Sequence, residues 1–138
     1  TDTVCADGTE ADLNKIEEMT RNELCDVVID ATGSDRSMNR SLEFCAFGGR
    51  VVYVGITQGK LSFPHAPLLH RRELSILGSR NALSRDFDRI VKDIEAGRIN
   101  TAPWITHRMS WTELPEIFPQ LVDPSSGVLK AVATIESV

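Results

Sequence analysis

The 138-residue sequence has few cysteines, no long hydrophobic run and no concentration of positive charge. Its three cysteines, Cys5, Cys25 and Cys45, lie far apart and form no Cys-x-x-Cys pair. This spacing argues against a disulfide framework and against a zinc knuckle, and it favours a reducing, cytoplasmic setting. The sequence contains no stretch of about 18 apolar residues, so it predicts no helix that spans a membrane.

The distribution of charge argues against a nucleic-acid or membrane partner, and the spacing of the histidines argues against a zinc site that they form. Fifteen Lys and Arg residues stand against 20 Asp and Glu residues, which gives a net charge of -5. The basic residues are scattered apart from a short His-Arg-Arg run at 70–72, so we expect neither a nucleic acid nor a membrane surface as a partner. His65, His70 and His107 lack the spacing of metal ligands, so we assign none of them to zinc.

The centre of the sequence, residues 26–55, predicts a β-α-β unit. An apolar run at 27–29, which Thr32 and Gly33 close, is typical of a strand buried on both faces. Residues 48–55 repeat this pattern as Gly-Gly-Arg-Val-Val-Tyr-Val-Gly. In a parallel sheet, ligands bind beyond the carboxyl ends of the strands, so function should be sought at these two strand ends.

A helix should connect the two strands of this unit. Apolar residues recur between them at helical spacing, and a glycine follows as the left-handed residue on which such helices commonly end. The residues concerned are Met38, Leu42, Cys45, Ala46 and then Gly48 or Gly49. The helix is therefore expected to include Cys45 and Ala46.

Three more elements are predicted on either side of this unit. Residues 3–6 form a short strand-like run, and the Thr-x-x-acid signature at 9–12 predicts a helix over residues 10–20. Gly59, Pro64 and Pro67 then indicate a loop over the carboxyl edge of the sheet, and a further strand follows at 74–78.

The last third of the sequence predicts two helices and two strands. Ser84 should cap a helix that ends at Gly97, and residues 104–109 alternate apolar and polar side chains like a half-exposed strand. A capping box at 110–113 opens the next helix, which Pro119 should kink or end near Phe118 because proline lacks a backbone donor. Residues 130–135 predict a closing strand.

The order of these motifs resembles the carboxyl-terminal half of medium-chain, zinc-type alcohol and polyol dehydrogenases. The motifs include Asp-Val-Val-Ile-Asp-Ala-Thr-Gly at 26–33, Arg-Arg-Glu-Leu-Ser-Ile-Leu-Gly-Ser at 71–79, Ile-Thr-His-Arg-Met at 105–109 and Lys-Ala-Val-Ala-Thr-Ile at 130–135. The resemblance implies an α/β fold, a partial Rossmann sheet that is doubly wound and parallel, with flanking helices.

The sequence also departs from this family. No Gly-x-Gly-x-x-Gly occurs in it, so the helix N-terminus that would hold the cofactor's pyrophosphate is absent. The resemblance therefore implies a truncated dinucleotide-binding domain over residues 1–138, with the first βαβ unit missing and a strand-helix-strand segment from about residue 104.

The family's cofactor contacts map onto eight residues. Thr32 and Gly33 match the turn along the adenosine and ribose, and Val54, Gly55 and Ile56 match the backbone segment that hydrogen-bonds the nicotinamide carboxamide. The second backbone stretch at the nicotinamide corresponds to Leu77 and Ser79, and a basic residue near the pyrophosphate corresponds to Lys130. Without the resemblance, the glycines could simply end strands and Lys130 would read as a solvated surface residue.

The resemblance implies an NAD- or NADP-dependent oxidoreductase. The whole enzyme would oxidise a secondary hydroxyl of a polyol or sugar acid by zinc-assisted hydride transfer, with the zinc ligands outside this chain. No catalytic residue can be named here. Two alternatives stay open: a zinc-independent quinone-reductase-like member, and a non-catalytic Rossmann-like module for binding or oligomerisation. The resemblance also implies a homo-oligomer through the strand at 74–78, because the last strand of the family's sheet commonly pairs with its symmetry mate. The Arg-Arg-Glu run at 71–73 could equally keep this edge unpaired.

Overall fold

The computed structural model describes residues 2–135, and it is an α/β structure with parallel sheets. This part of the chain divides between Asn81 and Ala82 into two compact units. The first unit contains a three-stranded sheet and the second a two-stranded sheet. The α/β class and the parallel pairing predicted from the sequence are thus confirmed.

The first unit is built around a sheet with the order β1-β2-β3, in which both neighbouring pairs are parallel. Its elements are α1 (Glu10–Thr20), β1 (Cys25–Asp30), α2 (Asp35–Arg40), a 3₁₀ turn (Ser41–Phe44), β2 (Cys45–Tyr53), a π-helical turn (His65–His70) and β3 (Ser75–Gly78). Because all three strands run in the same direction, their carboxyl ends lie at one edge of the sheet.

One face of this sheet is covered and the other is exposed. Val28, Val51 and Ile76 are direct neighbours across the three strands and pack in or against the core cluster. Fully buried members of that cluster are Leu42, Cys45 and Val51. On the alternate positions, Ile29 and Leu77 flank Val52 and are 66% and 47% exposed. The apolar run that predicted a strand buried on both faces is therefore buried on one.

The second unit pairs its two strands directly. Its elements are α3 (Ser84–Glu95), a 3₁₀ turn (Ala102–Trp104), β4 (His107–Ser110), a 3₁₀ turn (Trp111–Glu113), α4 (Leu114–Leu121), a 3₁₀ turn (Pro124–Ser126) and β5 (Ala131–Thr134). β4 and β5 are parallel, and His107 lies opposite Ala131. The Ser110 backbone N–H donates to the Glu113 carboxylate at 2.7 Å, as the predicted capping box requires.

The predicted helix over Met38–Ala46 is wrong at its carboxyl end. Helical structure stops at Phe44, and Cys45 already begins β2 opposite Cys25 of β1. Between Cys25 and Val27 the partner strand inserts extra residues, so Gly48, with a φ of 71°, belongs to a bulge in β2. The glycines thus serve a strand irregularity and do not end a helix.

Several other boundaries differ from the prediction. Residues 3–6 form no strand, because no strand in the described sheet pairs with them. The strand expected at 104–109 begins at His107, since Pro103 lies within a 3₁₀ turn instead. Ser84 is the first residue of α3 and does not cap it; Leu83 precedes the helix, and its N–H donates to the Asp86 carboxylate at 2.9 Å.

The helix α4 continues beyond Pro119, which lies inside it. It continues from Leu114 to Leu121, so the helix end expected near Phe118 is wrong. The alternative, a kink near Phe118, stays a prediction. Pro119 removes only one backbone donor, and the Val122 N–H still donates to the Phe118 carbonyl at 3.3 Å. The helix predicted over 10–20 is confirmed as α1, with the Thr9 hydroxyl accepting from the Ala11 N–H.

Candidate functional site

The carboxyl edge of the three-stranded sheet carries two short turns that touch each other. Thr32 and Gly33 follow β1, and Gly55 and Ile56 follow β2. A Cβ atom placed on Gly55 would lie 2.5 Å from the Gly33 nitrogen, and one placed on Gly33 would lie 3.1 Å from the Ile56 carbonyl oxygen. The first distance is shorter than real Cβ contacts, so the two turns meet backbone to backbone.

A glycine is required at this contact for two separate reasons. Gly33 has a φ of +67°, a conformation that L side chains rarely adopt. Gly55 has no such backbone requirement and needs glycine only because the neighbouring turn occupies the space of a side chain. The contact brings together four of the eight residues that the sequence predicted for a cofactor site.

One pocket is lined by the turn after β2, and a second pocket is lined in part by the turn after β1. The larger has a volume of about 900 Å³ and is lined by Val54, Gly55, Ile56 and Ser79 together with Met38 and Tyr53. The smaller, of about 350 Å³, includes Thr32, Ser34, Arg36 and Ser37 in its wall. All these residues belong to the first unit.

Among the described residues, backbone N–H groups at the ends of β2 and β3 are paired, whereas several carbonyl groups there are not. The N–H groups of Val54 and Gly55 both donate to the Asp30 carbonyl, at 2.8 and 3.0 Å, so these two donors are already paired. The Ser79 N–H donates to the Tyr53 carbonyl at 2.9 Å. Within residues 2–135, no hydrogen bond is accepted by the carbonyls of Val54, Gly55 or Ile56. The edge therefore offers acceptors for an amide NH₂ group.

Asp30 is the buried charged residue of this edge. It ends β1 and is 5% exposed. Its carboxylate accepts hydrogen bonds from the Thr32 N–H at 2.9 Å, the Thr32 hydroxyl at 2.8 Å and the Ser37 hydroxyl at 2.6 Å. Burial raises the pKa of Asp30, but the hydrogen bonds from Ser37 and Thr32 outweigh burial, and the pKa lies below its ordinary value.

The loop after β2 is tied to the helix α2. The Thr57 hydroxyl donates to the Asp35 carboxylate, and the Ser62 N–H donates to the Asn39 side-chain carbonyl at 2.5 Å. Thr57 also lines the larger pocket. Sequence reasoning placed this loop at the sheet edge but did not identify Asp30, Asp35 or Asn39. An Asp two residues before a Thr at a strand end is the signal that could have drawn attention to Asp30, since Asp often bonds the backbone two residues on.

Leu77 and Lys130 belong to neither of the touching turns. Leu77 is within β3 opposite Val52 and does not line the larger pocket. Lys130 belongs to the second unit, where its carbonyl accepts from the N–H groups of Thr106 and His107 at 3.0 and 3.2 Å. The backbone contact expected of Leu77 and the pyrophosphate contact expected of Lys130 stay predictions, as do the roles of the other six residues.

The described residues do not fit a zinc site. Between residues 2 and 135, no group of three or more His, Cys, Asp or Glu side chains could hold a metal ion. In the same part of the chain, every helix is too short or too polar to cross a membrane.

Comparison with known sequences decides the family. The sequence model described as "Zinc-binding dehydrogenase" matches residues 1–96 of this chain. The chain belongs to the zinc-binding dehydrogenase family. The resemblance seen in the sequence motifs is thereby confirmed, and the fold of the first unit is that of the family's cofactor-binding domain.

Three relatives show the extent of the similarity. L-galactonate-5-dehydrogenase of Escherichia coli strain K12 is 35% identical over 111 residues, which cover 80% of this chain and 32% of that protein. A zinc-binding dehydrogenase from Sinorhizobium meliloti, solved with NADP, is 26% identical with a TM-score of 0.67, and the match covers 79% of this chain and 31% of that one.

The third relative is similar in fold alone. An Escherichia coli oxidoreductase of unknown specificity is 20% identical, with a TM-score of 0.81 over 93% of this chain and 36% of that one. The chain therefore spans about a third of the length of the proteins that it matches.

Proposed function

We propose that this chain supplies part of the cofactor cleft of an NAD- or NADP-dependent alcohol dehydrogenase. The observation that carries the proposal is the backbone contact between the turns Thr32–Gly33 and Gly55–Ile56, each of which lines a pocket of its own. A dinucleotide has two halves, and two pockets that are lined by two touching turns suit such a ligand. NADP is bound in the related Sinorhizobium meliloti structure.

Each half of the cofactor is assigned to one pocket. The larger pocket would take the nicotinamide, because the free carbonyls of Val54, Gly55 and Ile56 can accept from its carboxamide NH₂. The smaller pocket, with Thr32 in its wall, would take the adenosine side. In this arrangement the chain positions the cofactor, and the cofactor carries the hydride.

The substrate proposal is a secondary alcohol on a polyol or sugar acid. Its support is the relative named L-galactonate-5-dehydrogenase, a name that denotes oxidation of a sugar acid. Zinc in the whole enzyme would be bound outside the described residues, which hold no ligand set, so we assign no metal-dependent step to this chain. We also propose a reducing, cytoplasmic setting, which the three free cysteines support.

Nuclear magnetic resonance of the ¹⁵N-labelled chain tests the assignment of the two pockets. Nicotinamide mononucleotide at millimolar concentration should shift the amide signals of Gly55, Ile56 and Ser79, whereas AMP should shift those of Thr32 and Ser37. Amides of β5 in the second unit serve as the internal control. Shifts confined to the control region, or identical shifts with both ligands, would contradict the proposal.

A homo-oligomer through β3 completes the proposal. β3 is an edge strand of the described three-stranded sheet. The Ser79 N–H points toward β2, because it donates to the Tyr53 carbonyl. Successive N–H groups of a strand alternate in direction, so the Leu77 N–H also points toward β2 and the Ile76 N–H points to the open edge. That open donor is available to a second copy of the chain.

A further inference from the structure

Asp30 is hydrogen-bonded to both of the turns that form the cleft. Its carboxylate accepts from the Thr32 N–H, the Thr32 hydroxyl and the Ser37 hydroxyl, which hold the turn after β1. Its main-chain carbonyl accepts from Val54 and Gly55, which lead into the turn after β2. One residue thus joins two segments that are more than 20 positions apart in the sequence.

The chemistry of these contacts distinguishes Asp30 from an ordinary buried polar residue. A carboxylate that is 5% exposed is costly to bury unless donors surround it, and three donors converge on this one. Ser37 lies on α2, so the carboxylate also fixes the start of that helix relative to the turn. Asp30 lines neither pocket, so it would act through its neighbours without touching a ligand.

We propose that Asp30 is the positioning residue that sets the spacing between the nicotinamide pocket and the adenosine pocket. Its side chain fixes Thr32–Gly33, and its main chain fixes Val54–Gly55. The glycine contact then transmits movement of one turn to the other, because the turns leave no room even for a Cβ atom on Gly55, which would lie 2.5 Å from the Gly33 nitrogen. This inference rests on the proposed cofactor cleft, and it predicts coupling between the two pockets through a residue that contacts neither ligand.

Hydrogen exchange of the ligand-free chain tests the positioning role. In Asp30→Ala, the Thr32 amide loses its acceptor and should exchange about tenfold faster or more. The Gly55 amide keeps its acceptor, the Asp30 main-chain carbonyl, so faster exchange there would report movement of the second turn. The Val51 amide, in the buried centre of β2, is the reference for global unfolding of the first unit. Unchanged exchange at Gly55 beside faster exchange at Thr32 would overturn the coupling.

Milder variants keep the test valid if Asp30→Ala fails to fold. Asp30→Asn retains a carbonyl acceptor for the Thr32 N–H and should restore most of the protection of that amide. Ser37→Ala removes one of the three donors and should have an intermediate effect. Asp123→Ala is the matched control, because Asp123 also accepts from the N–H and hydroxyl of a serine two residues on, but in the second unit.

Titration with the two half-ligands separates this inference from the proposed function. For Asp30→Ala we expect the affinity for nicotinamide mononucleotide to fall several-fold, although Asp30 lies outside its pocket, and we expect Asp123→Ala to bind as the wild type does. If the wild type itself shows no response to either ligand, the proposed function fails. The exchange data would still decide whether Asp30 couples the two turns.

Discussion

At the scale of single residues, the cleft depends on two glycines that are needed for different reasons. Gly33 supplies a left-handed backbone conformation, and Gly55 supplies space. The sequence identified both positions, because a glycine after a buried strand is a strong local signal. It could not distinguish the two reasons, since the space at Gly55 is filled by a turn that lies 22 residues earlier in the chain.

A substitution of Gly55 should separate space from flexibility. Gly55→Ala places a methyl group 2.5 Å from the Gly33 nitrogen, so the backbone must shift, at a cost of about 1–3 kcal/mol of unfolding free energy. Gly78→Ala is the matched control, because a Cβ there meets nothing within 4 Å. Urea denaturation of the two variants measures the difference, and equal stability would contradict the described contact.

The Asp30 carboxylate should make the chain sensitive to acid. Its pKa is lowered in the folded state, so the stabilisation that its ionised form provides is complete above about pH 4 and is lost as pH falls through the folded pKa. Unfolding should therefore be followed in urea at several pH values, for the wild type and for Asp30→Asn. The stability difference between them is expected to shrink on acidification. A difference that stays constant down to pH 3 would show that the carboxylate is not responsible.

Residue-level contacts set a limit on what the sequence predicts. Thr32 and Gly33 were found because they end an apolar run, whereas the importance of Asp30 and Ser37 depends on a hydrogen bond between a strand and a helix. Such a bond exists only after α2 has packed on the sheet. The sequence therefore predicted the residues of the turns and missed the residue that holds them.

At the scale of elements, β2 shows how tertiary pairing overrides a local pattern. Cys45 and Ala46 continue the helical spacing of Met38 and Leu42, so the sequence favours a helix. In the structure, Cys45 pairs with Cys25, and a bulge around Gly48 restores the register farther along β2. Bulges cannot be read from periodicity, because the inserted residues break the alternation that identifies a strand.

The position of Cys45 leads to a prediction about thiol reactivity. Burial raises the pKa of the Cys45 thiol, and the nearby Cys25 adds to that effect, while Cys5 is exposed. Because the thiolate is the reactive form, iodoacetamide should modify Cys5 first and Cys45 only on unfolding. Peptide mass spectrometry over a time course measures the order. Equal rates for Cys5 and Cys45 in native buffer would be incompatible with a buried start of β2.

Proline substitutions in β3 test the proposed oligomer. Ile76→Pro removes an N–H that points to the open edge, so it should dissociate an oligomer while leaving the β2–β3 pairing in place. Leu77→Pro removes an N–H that points toward β2 and should destabilise the strand itself. Sedimentation equilibrium with circular dichroism distinguishes these results. A folded Ile76→Pro protein with an unchanged mass would place the interface elsewhere.

At the scale of the whole molecule, the chain alone should be a poor dehydrogenase. It contains no Gly-x-Gly-x-x-Gly, and its described residues contain no metal-ligand group. Without a helix N-terminus for the pyrophosphate, NAD or NADP should bind no tighter than the millimolar range, and alcohol oxidation should be undetectable. Calorimetric titration measures the affinity. Sub-micromolar binding would show that the cleft is complete without those parts.

The larger architecture was only partly predictable. Motif order was sufficient for the α/β class and the family, because each strand and helix carries its own apolar pattern. The division between Asn81 and Ala82 was not predicted, since Ser79 to Ser84 shows no change of composition that would mark a linker. Where packing between distant elements decides the outcome, local patterns carry no information about it.

The exposed face of the first sheet affects how the protein behaves as a colloid. Val27, Ile29 and Leu77 present apolar surface to water, and a net charge of -5 at neutral pH opposes non-specific aggregation by repulsion. That repulsion disappears near the isoelectric point of about 5.2. Precipitation should be fastest there, so concentration, storage and crystallisation trials belong at a pH well above 5.2, in buffers of low ionic strength.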